Sequence, residues 1–362
     1  MSQRKTRILV VDDSAFIRKA LEMMLKEEPS FEVVGMAKNG REGVEMAKKY
    51  NPDVITMDVE MPVMDGLTAL KHIMEANPKP VIMISSLTEE GADTTIKALE
   101  LGAVDFIPKK FNYSSAEIVK IKEELFTKIK NLHGVNVDVK NSSNEPAPSR
   151  LEEKIREKEY AITATEIDKE KLKYDIIVIA SSTGGPMALQ KIILKLPENL
   201  PVPIVIAQHM PPLFTRSLAR RLKDLSKLDV MEAEEHMVPE AGKVYLARGG
   251  QHLILKKKNS LVGFKYVKDK EGYLYKPSGD LLFDSAAEIY GERAIGVILT
   301  GMGKDGAQGL KTLHDKGAYT IAESENSCVI FGMPRAAIEL GAVKSTLEVS
   351  KIADKLMLLL HS

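Results

Sequence analysis

Two acidic residues, Asp12 and Asp13, close the apolar run RILVV, and a third, Asp58, closes the run VITM. If these runs are neighbouring parallel strands, their C-terminal ends open into one crevice and the three carboxylates meet there. Carboxylates that close repel one another unless a hard cation sits among them, and Mg²⁺, with its oxygen ligands and retained waters, suits such a site. The plainer reading is that acidic residues simply end strands as turn formers. A second set lies further along. Ser182 stands at the apex of IVIASSTGGP, a strand feeding a small-residue turn and then a helix, with Ala180 two residues before it and Gly184 two after. That pattern approximates a nucleophile elbow, whose helix N-terminus can stabilise an oxyanion. Ser-Thr-Gly-Gly in such a turn could equally cradle a phosphate. His209 follows the run PIVIAQ, and Asp305 follows AIGVILT through GMGKDG. A serine, a histidine and an aspartate delivered from three parallel strand ends have the geometry of a hydrolytic triad, although His209 alone would read as a satisfied structural histidine. In the triad reading Ser182 attacks, His209 takes and returns the proton, and Asp305 orients His209.

The elements that must carry these residues fall into two groups. Between Arg7 and about Asn131, short β-rich runs (RILVV, FEVVGMA, DVITMD, PVIMIS, AVDFIP) alternate with amphipathic stretches such as SAFIRKALEMMLKEE. Five βα units in succession predict a doubly wound parallel sheet. From Tyr174 the strand pattern resumes with YDIIVIA, VPIVIAQ, VYLA, HLIL, LVGFKYV, AIGVILT and AYTIAE, interleaved with helical patterns. HLILKKKNSLVGFKYV reads as a hairpin turning near Lys257, Lys258, Asn259 and Ser260. The second half is therefore a mostly parallel, doubly wound α/β unit with an antiparallel hairpin attached. Between the halves, SSNEPAPS is linker-like, and LEEKIREKEY and IDKEKLK are dense in mixed charge. The expected division is residues 1–132, a charged linker over 133–172, and residues 173–362.

Composition narrows the function classes. The 362 residues suit two to three domains, and 44% hydrophobic with 28% charged residues is ordinary for a globular protein. Lys plus Arg and Asp plus Glu both number 51, so global charge gives no support to nucleic-acid binding or to an anionic membrane. Cys328 is the sole cysteine, so no intramolecular disulfide can form, and the thiol reads as packed filler rather than a nucleophile. No apolar run approaches the roughly 18 residues that span a bilayer. The expectation is a cytoplasmic protein that meets membranes only through a partner.

VVDDS, ITMDVEMPVMDG, MISS and DFIPKK together resemble the response-regulator receiver family over residues 7–131. The resemblance implies that Asp58 is the phosphoacceptor, attacking a phosphohistidine on a chemotaxis histidine kinase. It implies Mg²⁺ held by Asp13, Asp58 and the Glu60 carbonyl with help from Asp12. Ser85 would contact the phosphoryl group, Lys109 would be the motif lysine, and Phe106 the aromatic switch. The family usually has proline after that lysine. Here Lys110 follows and Pro108 precedes, which leaves the register between Lys109 and Lys110 open.

ASSTGG, AQHMPP, LTGMGKDG, KPSGDLLFDSAAE and VIFGMPRAA resemble, in order, the catalytic domain of the chemotaxis protein-glutamate methylesterases over about residues 174–361. The resemblance implies a triad of Ser182, His209 and Asp305, oxyanion donors from the backbone around Thr183 and Met302, and Gln208 beside the site. Ala180 replaces a common glycine, and Ser181 is a neighbouring hydroxyl that the motif register passes over. The implied reaction is demethylation of glutamyl methyl esters on chemoreceptors, with methanol released and glutamine deamidation as a companion, without a cofactor for the ester chemistry. LFTRSLARRLKDL, with Arg216, Arg220 and Arg221, offers a contact for an acidic receptor surface or an ordinary solvated helix face. An unphosphorylated receiver covering the Ser182 cleft is the expected means of control. A receiver-gated binding module with an inactive hydrolase domain is the competing reading.

Overall fold

A computed structural model describes residues 4–109, 115–132, 134, 172–267 and 272–361. The chain divides into two compact units, with the division after residue 147. The expected linker lies outside the described residues, apart from Gly134 and Leu172.

In the first unit the strands are β1 (Thr6–Val11), β2 (Phe31–Ala37), β3 (Val54–Asp58), β4 (Val81–Ser85) and β5 (Asp105–Pro108). Between and after them come α1 (Ala15–Lys26), α2 (Gly40–Tyr50), α3 (Gly66–Ala76), α4 (Glu89–Glu100) and α5 (Ser115–Leu132). Every strand pairing is parallel, in the order β2-β1-β3-β4-β5. The β3 and β4 strands are buried along their whole length, as a sheet covered on both faces requires. The helices start where short polar side chains can cap them. Ser14, Asn39, Asp65 and Thr88 each accept a backbone N–H from the first turn. Strand order reverses between β1 and β3, so the crevice at that point collects the residues that follow those two strands.

The second unit holds a seven-stranded, wholly parallel sheet built from β6 (Ile176–Ser181), β7 (Ile204–Gln208), β8 (Asp229–Glu232), β9 (Lys243–Leu246), β12 (Ala294–Ile298), β13 (Tyr319–Glu323) and β14 (Ser345–Leu347). Its order is β14-β13-β12-β6-β7-β9-β8. The predicted hairpin is β10 (His252–Lys258) with β11 (Leu261–Val267), paired antiparallel, and Asn259 at its turn takes a φ of 57°. The helices are α6 (Gly185–Ile193), α7 (Pro212–Leu225), α8 (Gly279–Ile289), α9 (Ala307–Asp315), α10 (Met333–Glu339) and α11 (Val349–Leu360). From β6 the chain passes to β7, continues to the edge strand β8, comes back to insert β9 between them, and later lays β12 on the other side of β6. The switch point therefore falls at β6, and the three central strands β12, β6 and β7 are those that carry Asp305, Ser182 and His209. Strands β8 and β14 were not legible in the sequence: each is short and only partly buried. No helix among the described residues is long and apolar enough to cross a membrane.

Candidate active site and acidic pocket

The turn after β6 is shaped by its neighbours. Gly184 adopts a φ of 78°, the left-handed region that favours glycine, and helix α6 begins one residue later with Pro186 in its first turn. Gln208, the last residue of β7, props this turn open. Its Nε2 donates to the Ser182 carbonyl at 3.0 Å and to the His209 carbonyl at 3.2 Å, and its Oε1 accepts the Ser181 hydroxyl at 2.6 Å. Ser181 is fully buried and committed to that bond, so of the two adjacent hydroxyls it is Ser182, half-buried, that solvent can reach. The Ser182 N–H donates to the Thr300 carbonyl at 3.1 Å, which ties the turn to the loop after β12. Ala180, at a common glycine position, is accommodated because Gly279 and Gly306 face its methyl: a Cβ at residue 279 would lie 2.8 Å from it.

His209 Nε2 and Asp305 Oδ2 are 2.7 Å apart, with both side chains under a tenth exposed. Asp305 also accepts from the Ser278 hydroxyl at 2.7 Å, from the Gly279 N–H at 2.5 Å and from the Asp280 N–H at 3.4 Å. Ser278 is the N-cap of α8, so this carboxylate lies at the positive end of a helix. Burial works to raise its pKa, but the hydrogen bond and charge of His209, with Ser278 and Gly279, hold it below the ordinary value. An ionised Asp305 accepts from Nε2–H, which places the imidazole lone pair on Nδ1. That nitrogen is buried and makes no hydrogen bond among the described residues. It is the atom left to take a proton from a hydroxyl.

A second layer fixes the loop behind the serine. The Thr300 hydroxyl donates to the Thr183 carbonyl at 3.0 Å and accepts from the Ile330 N–H at 3.0 Å, while the Thr300 N–H donates to Glu323 Oε2 at 2.8 Å. Glu323 is fully buried, and burial raises its pKa against the donors Thr300 and Ser327. Thr183 and Met302 are themselves buried beside the turn. Burial, together with the neighbouring Glu323, pushes the Cys328 thiol far up, which suits filler rather than a nucleophile. Arg216 and Arg220 lie on the exposed face of α7, and Arg216 reaches Glu232 at 3.6 Å.

Sequence reasoning missed Tyr275, Ser278, Asp280, Thr300 and Glu323. Ser278 had a signal, a serine just ahead of an apolar helical pattern, which marks an N-cap. The others act through contacts distant in sequence and leave no local pattern.

In the first unit, carboxylate oxygens of Asp12, Asp13 and Asp58 lie within 4.8 Å of one another. Lys109 Nζ pairs with Asp58 Oδ1 at 2.6 Å and with Asp12 Oδ2 at 3.4 Å, so Lys109 occupies the pocket, whereas Lys110 lies outside the described residues. Asp58 Oδ2 is buried without a hydrogen bond. Burial raises the Asp58 pKa to about 6 in spite of Lys109, and raises that of Asp12 as well. Three carboxylates gather here around an unpartnered oxygen, and a divalent cation fits that donor set. Glu60 follows two residues on, and its backbone N–H is among the influences that oppose burial and lower the Asp58 pKa. Ser85, at the end of β4, donates its hydroxyl to the Gly91 carbonyl at 3.0 Å. Phe106 is buried on β5, and its carbonyl accepts from Lys128 Nζ at 2.7 Å.

Comparison with known proteins agrees with both halves. The family described as CheB methylesterase matches residues 177–356, and the response regulator receiver domain matches residues 8–121. A protein-glutamate methylesterase/protein-glutamine glutaminase of Thermotoga maritima is 46% identical over 357 residues, 99% of each chain. Its counterpart from Pyrococcus abyssi is 45% identical over 355 residues, 98% of this chain and 93% of the relative. The crystal structure of the Thermotoga maritima CheB methylesterase catalytic domain superposes with a TM-score of 0.50 at 48% identity, covering 51% of this chain and 98% of that one. A receiver fold followed by a parallel hydrolase-type sheet, with full-length relatives of the same order, means that this chain belongs to the CheB family of receiver-linked methylesterases.

Proposed function

We propose that this protein is a phosphorylation-controlled serine hydrolase that removes methyl groups from glutamyl methyl esters on chemoreceptors. The observation that carries the reading is the His209–Asp305 pair at 2.7 Å, delivered with Ser182 from three adjacent strand ends. In the acylation step the Ser182 hydroxyl gives its proton to His209 Nδ1 while Oγ attacks the ester carbonyl carbon. The tetrahedral oxyanion is met by backbone N–H groups around Thr183 and Met302. Collapse breaks the C–O bond to the methoxy group, and His209 returns the proton so that methanol leaves. Water then repeats the sequence on the acyl-serine, releasing a free glutamate side chain and the serine. Asp305 stays ionised throughout and stabilises the imidazolium in each half-reaction. An amide in place of the ester passes through the same acyl-enzyme and releases ammonia, so glutamine deamidation belongs to the same site. A methyl ester offers little binding surface, so contacts to the receptor helices must supply specificity. The exposed arginine face of α7 is suited to an acidic partner.

Asp58 accepts the phosphoryl group from a histidine kinase, its carboxylate attacking phosphorus as the phosphohistidine nitrogen leaves. Asp12, Asp13, Asp58 and the Glu60 carbonyl would hold Mg²⁺, which supplies charge neutralisation for the transfer. Lys109, already on Asp58, would pair with the new phosphoryl oxygens. Ser85 must rotate its hydroxyl away from the Gly91 carbonyl to join them. The test is methanol release from methylated chemoreceptor by the wild type, Ser182→Ala and Asp58→Asn, each with and without a small phosphodonor and Mg²⁺. We expect release that rises with phosphodonor in the wild type, disappears in Ser182→Ala and ignores phosphodonor in Asp58→Asn. No methanol from the wild type in either condition would favour a receiver-gated binding module instead.

A further inference from the structure

One hydrogen bond does not fix an imidazole. Among the described residues the only hydrogen bond of the His209 ring runs from Nε2 to Asp305, and one in-line bond does not by itself set the ring plane or the direction of Nδ1. A neighbouring ring lies against its face. The Tyr275 and His209 ring centroids are 4.6 Å apart and their planes differ by only 5°, a parallel stack over the imidazole face. Tyr275 is only half-buried, so its ring fills no deep core position and its placement against His209 needs another explanation.

Its place in the chain is informative. Tyr275 stands three residues before Ser278, whose hydroxyl donates to Asp305 Oδ1, and four before Gly279, whose N–H donates to Oδ2. One short segment therefore touches both members of the pair, holding the carboxylate with its Ser-Gly end and facing the imidazole with its tyrosine ring. The opposite wall makes room for it. Gly303, two residues before Asp305, takes a φ of 82°, and a Cβ there would lie 3.3 Å from the Tyr275 hydroxyl oxygen.

We propose that Tyr275 is a positioning residue for the hydrolysis, holding the His209 ring plane so that Nδ1 stays aimed at the Ser182 hydroxyl. The proposal rests on the esterase reading above. Its π face also suits the imidazolium that forms when His209 takes the serine proton. The phenol oxygen has no part in this role; the ring does the positioning.

Tyr275→Phe and Tyr275→Ala separate the ring from the hydroxyl, with Tyr275→Leu, which keeps most of the volume, standing in should the alanine variant fail to fold. Two readouts are taken on the full chain. In methanol release, the alanine variant should lose about 10- to 100-fold in kcat, the scale of a misaimed catalytic group. Its KM should stay within about twofold, since no substrate contact is removed. Tyr275→Phe should retain wild-type kcat. In NMR, the His209 ring protons, assigned by their disappearance in His209→Gln, should be shifted upfield by the stacked ring, with a single tautomer protonated at Nε2. Phenylalanine should preserve both features, and alanine or leucine should abolish the shift and mix the tautomers. An alanine variant with normal kcat, a loss confined to KM, a phenylalanine variant as damaged as alanine, or an unshifted His209 in the wild type would each overturn the proposal. The spectra decide on positioning even if the wild type releases no methanol, so failure of the esterase reading and failure of this one stay distinct.

Discussion

Asp58 is 2% exposed, with one carboxylate oxygen on Lys109 and the other without a donor. Burial is the largest influence on it and lifts its pKa from 3.8 to about 6. A folded-state pKa above the unfolded value means that the native protein binds the proton more tightly, so stability falls as pH rises from about 4 through 6. Above that range the protein carries a buried, partly unpaired charge. The penalty is roughly 2–3 kcal/mol, because each tenfold change in proton affinity is worth about 1.4 kcal/mol. Asp58→Asn should therefore stabilise the metal-free protein by about that amount at pH 7.5 and leave it nearly unchanged at pH 4, measured by urea unfolding at the two values. Mg²⁺ should compete with the same proton. Its affinity, followed by calorimetry, should rise as pH increases through 6 and depend less steeply on pH there in the asparagine variant, where Asp12, also raised by burial, remains. Asp280 presents the same physics in the second unit. Burial first, opposed by the Gly309 N–H at 2.7 Å and reinforced by the charge of Asp305, lifts it to about 6. Asp280→Asn keeps an acceptor for Gly309 and removes a negative charge beside Asp305. It should stabilise at neutral pH, on the order of 1 kcal/mol once residual solvent exposure is allowed for, and the gain should fade below pH 4.

At the scale of elements, the serine turn depends on a helix start packed against a side chain from the next strand. A Cβ on Gly185 would lie 2.1 Å from Gln208 Oε1 and 2.8 Å from Ser181 Cβ, far inside contact distance. Gly185→Ala should destabilise by about 1–3 kcal/mol, the usual penalty for overpacking, and remove most hydrolytic activity by displacing Ser182. Gln208→Ala deletes the obstructing amide but leaves the Ser181 hydroxyl and the Ser182 carbonyl without their partners. Because the two changes share one contact, the double variant should be less destabilised than the sum of the single ones, with a coupling of about 0.5–3 kcal/mol from denaturant unfolding. These elements also mark how far the sequence could be read. Strands β6, β7 and β12 are continuous apolar runs ending in a polar residue or a glycine-rich turn, so Ser182, His209 and Asp305 were placed by strand ends alone. The acidic pocket was legible for the same reason. Gln208 entered only through family resemblance, because an amide at a strand end carries no signature of the carbonyls it will hold. Tyr275 and Glu323 had none at all: a ring stacked on His209 and a buried acid on Thr300 exist only once distant segments have met. Lys109 was placed beside Asp58 by the ion pair itself, which no local pattern could supply.

Across the whole molecule, two sheets with separate cores are joined by one chain, and in the proposed function each would carry one half of the chemistry: phosphoryl acceptance at the β1/β3 switch point, ester hydrolysis at the β6 switch point. A net charge of zero gives no net-charge attraction to set partner choice, so in the proposed function recognition would fall to local surfaces such as the α7 arginines. Separate cores predict separate melting. Calorimetry of the full chain without Mg²⁺ should show two transitions, one for each sheet. Asp58→Asn should move one of them upward and leave the other in place, whereas Gly185→Ala should lower only the other. Mg²⁺ held as proposed by the acidic pocket should raise the transition of the first unit by mass action, by roughly 2.7 kcal/mol when present at a hundred times its dissociation constant. Phosphorylation control adds a condition that separate melting does not. If phosphoryl-Asp58 alters the reactivity of Ser182, the units share a coupling free energy, typically about 1–3 kcal/mol. A phosphodonor with Mg²⁺ should then shift the second transition as well, in the wild type and not in Asp58→Asn. A second transition that stays fixed while methanol release rises would mean that the control acts on access to the substrate rather than on the stability of the catalytic unit. A single transition moved equally by Asp58→Asn and Gly185→Ala would mean that the two cores unfold as one.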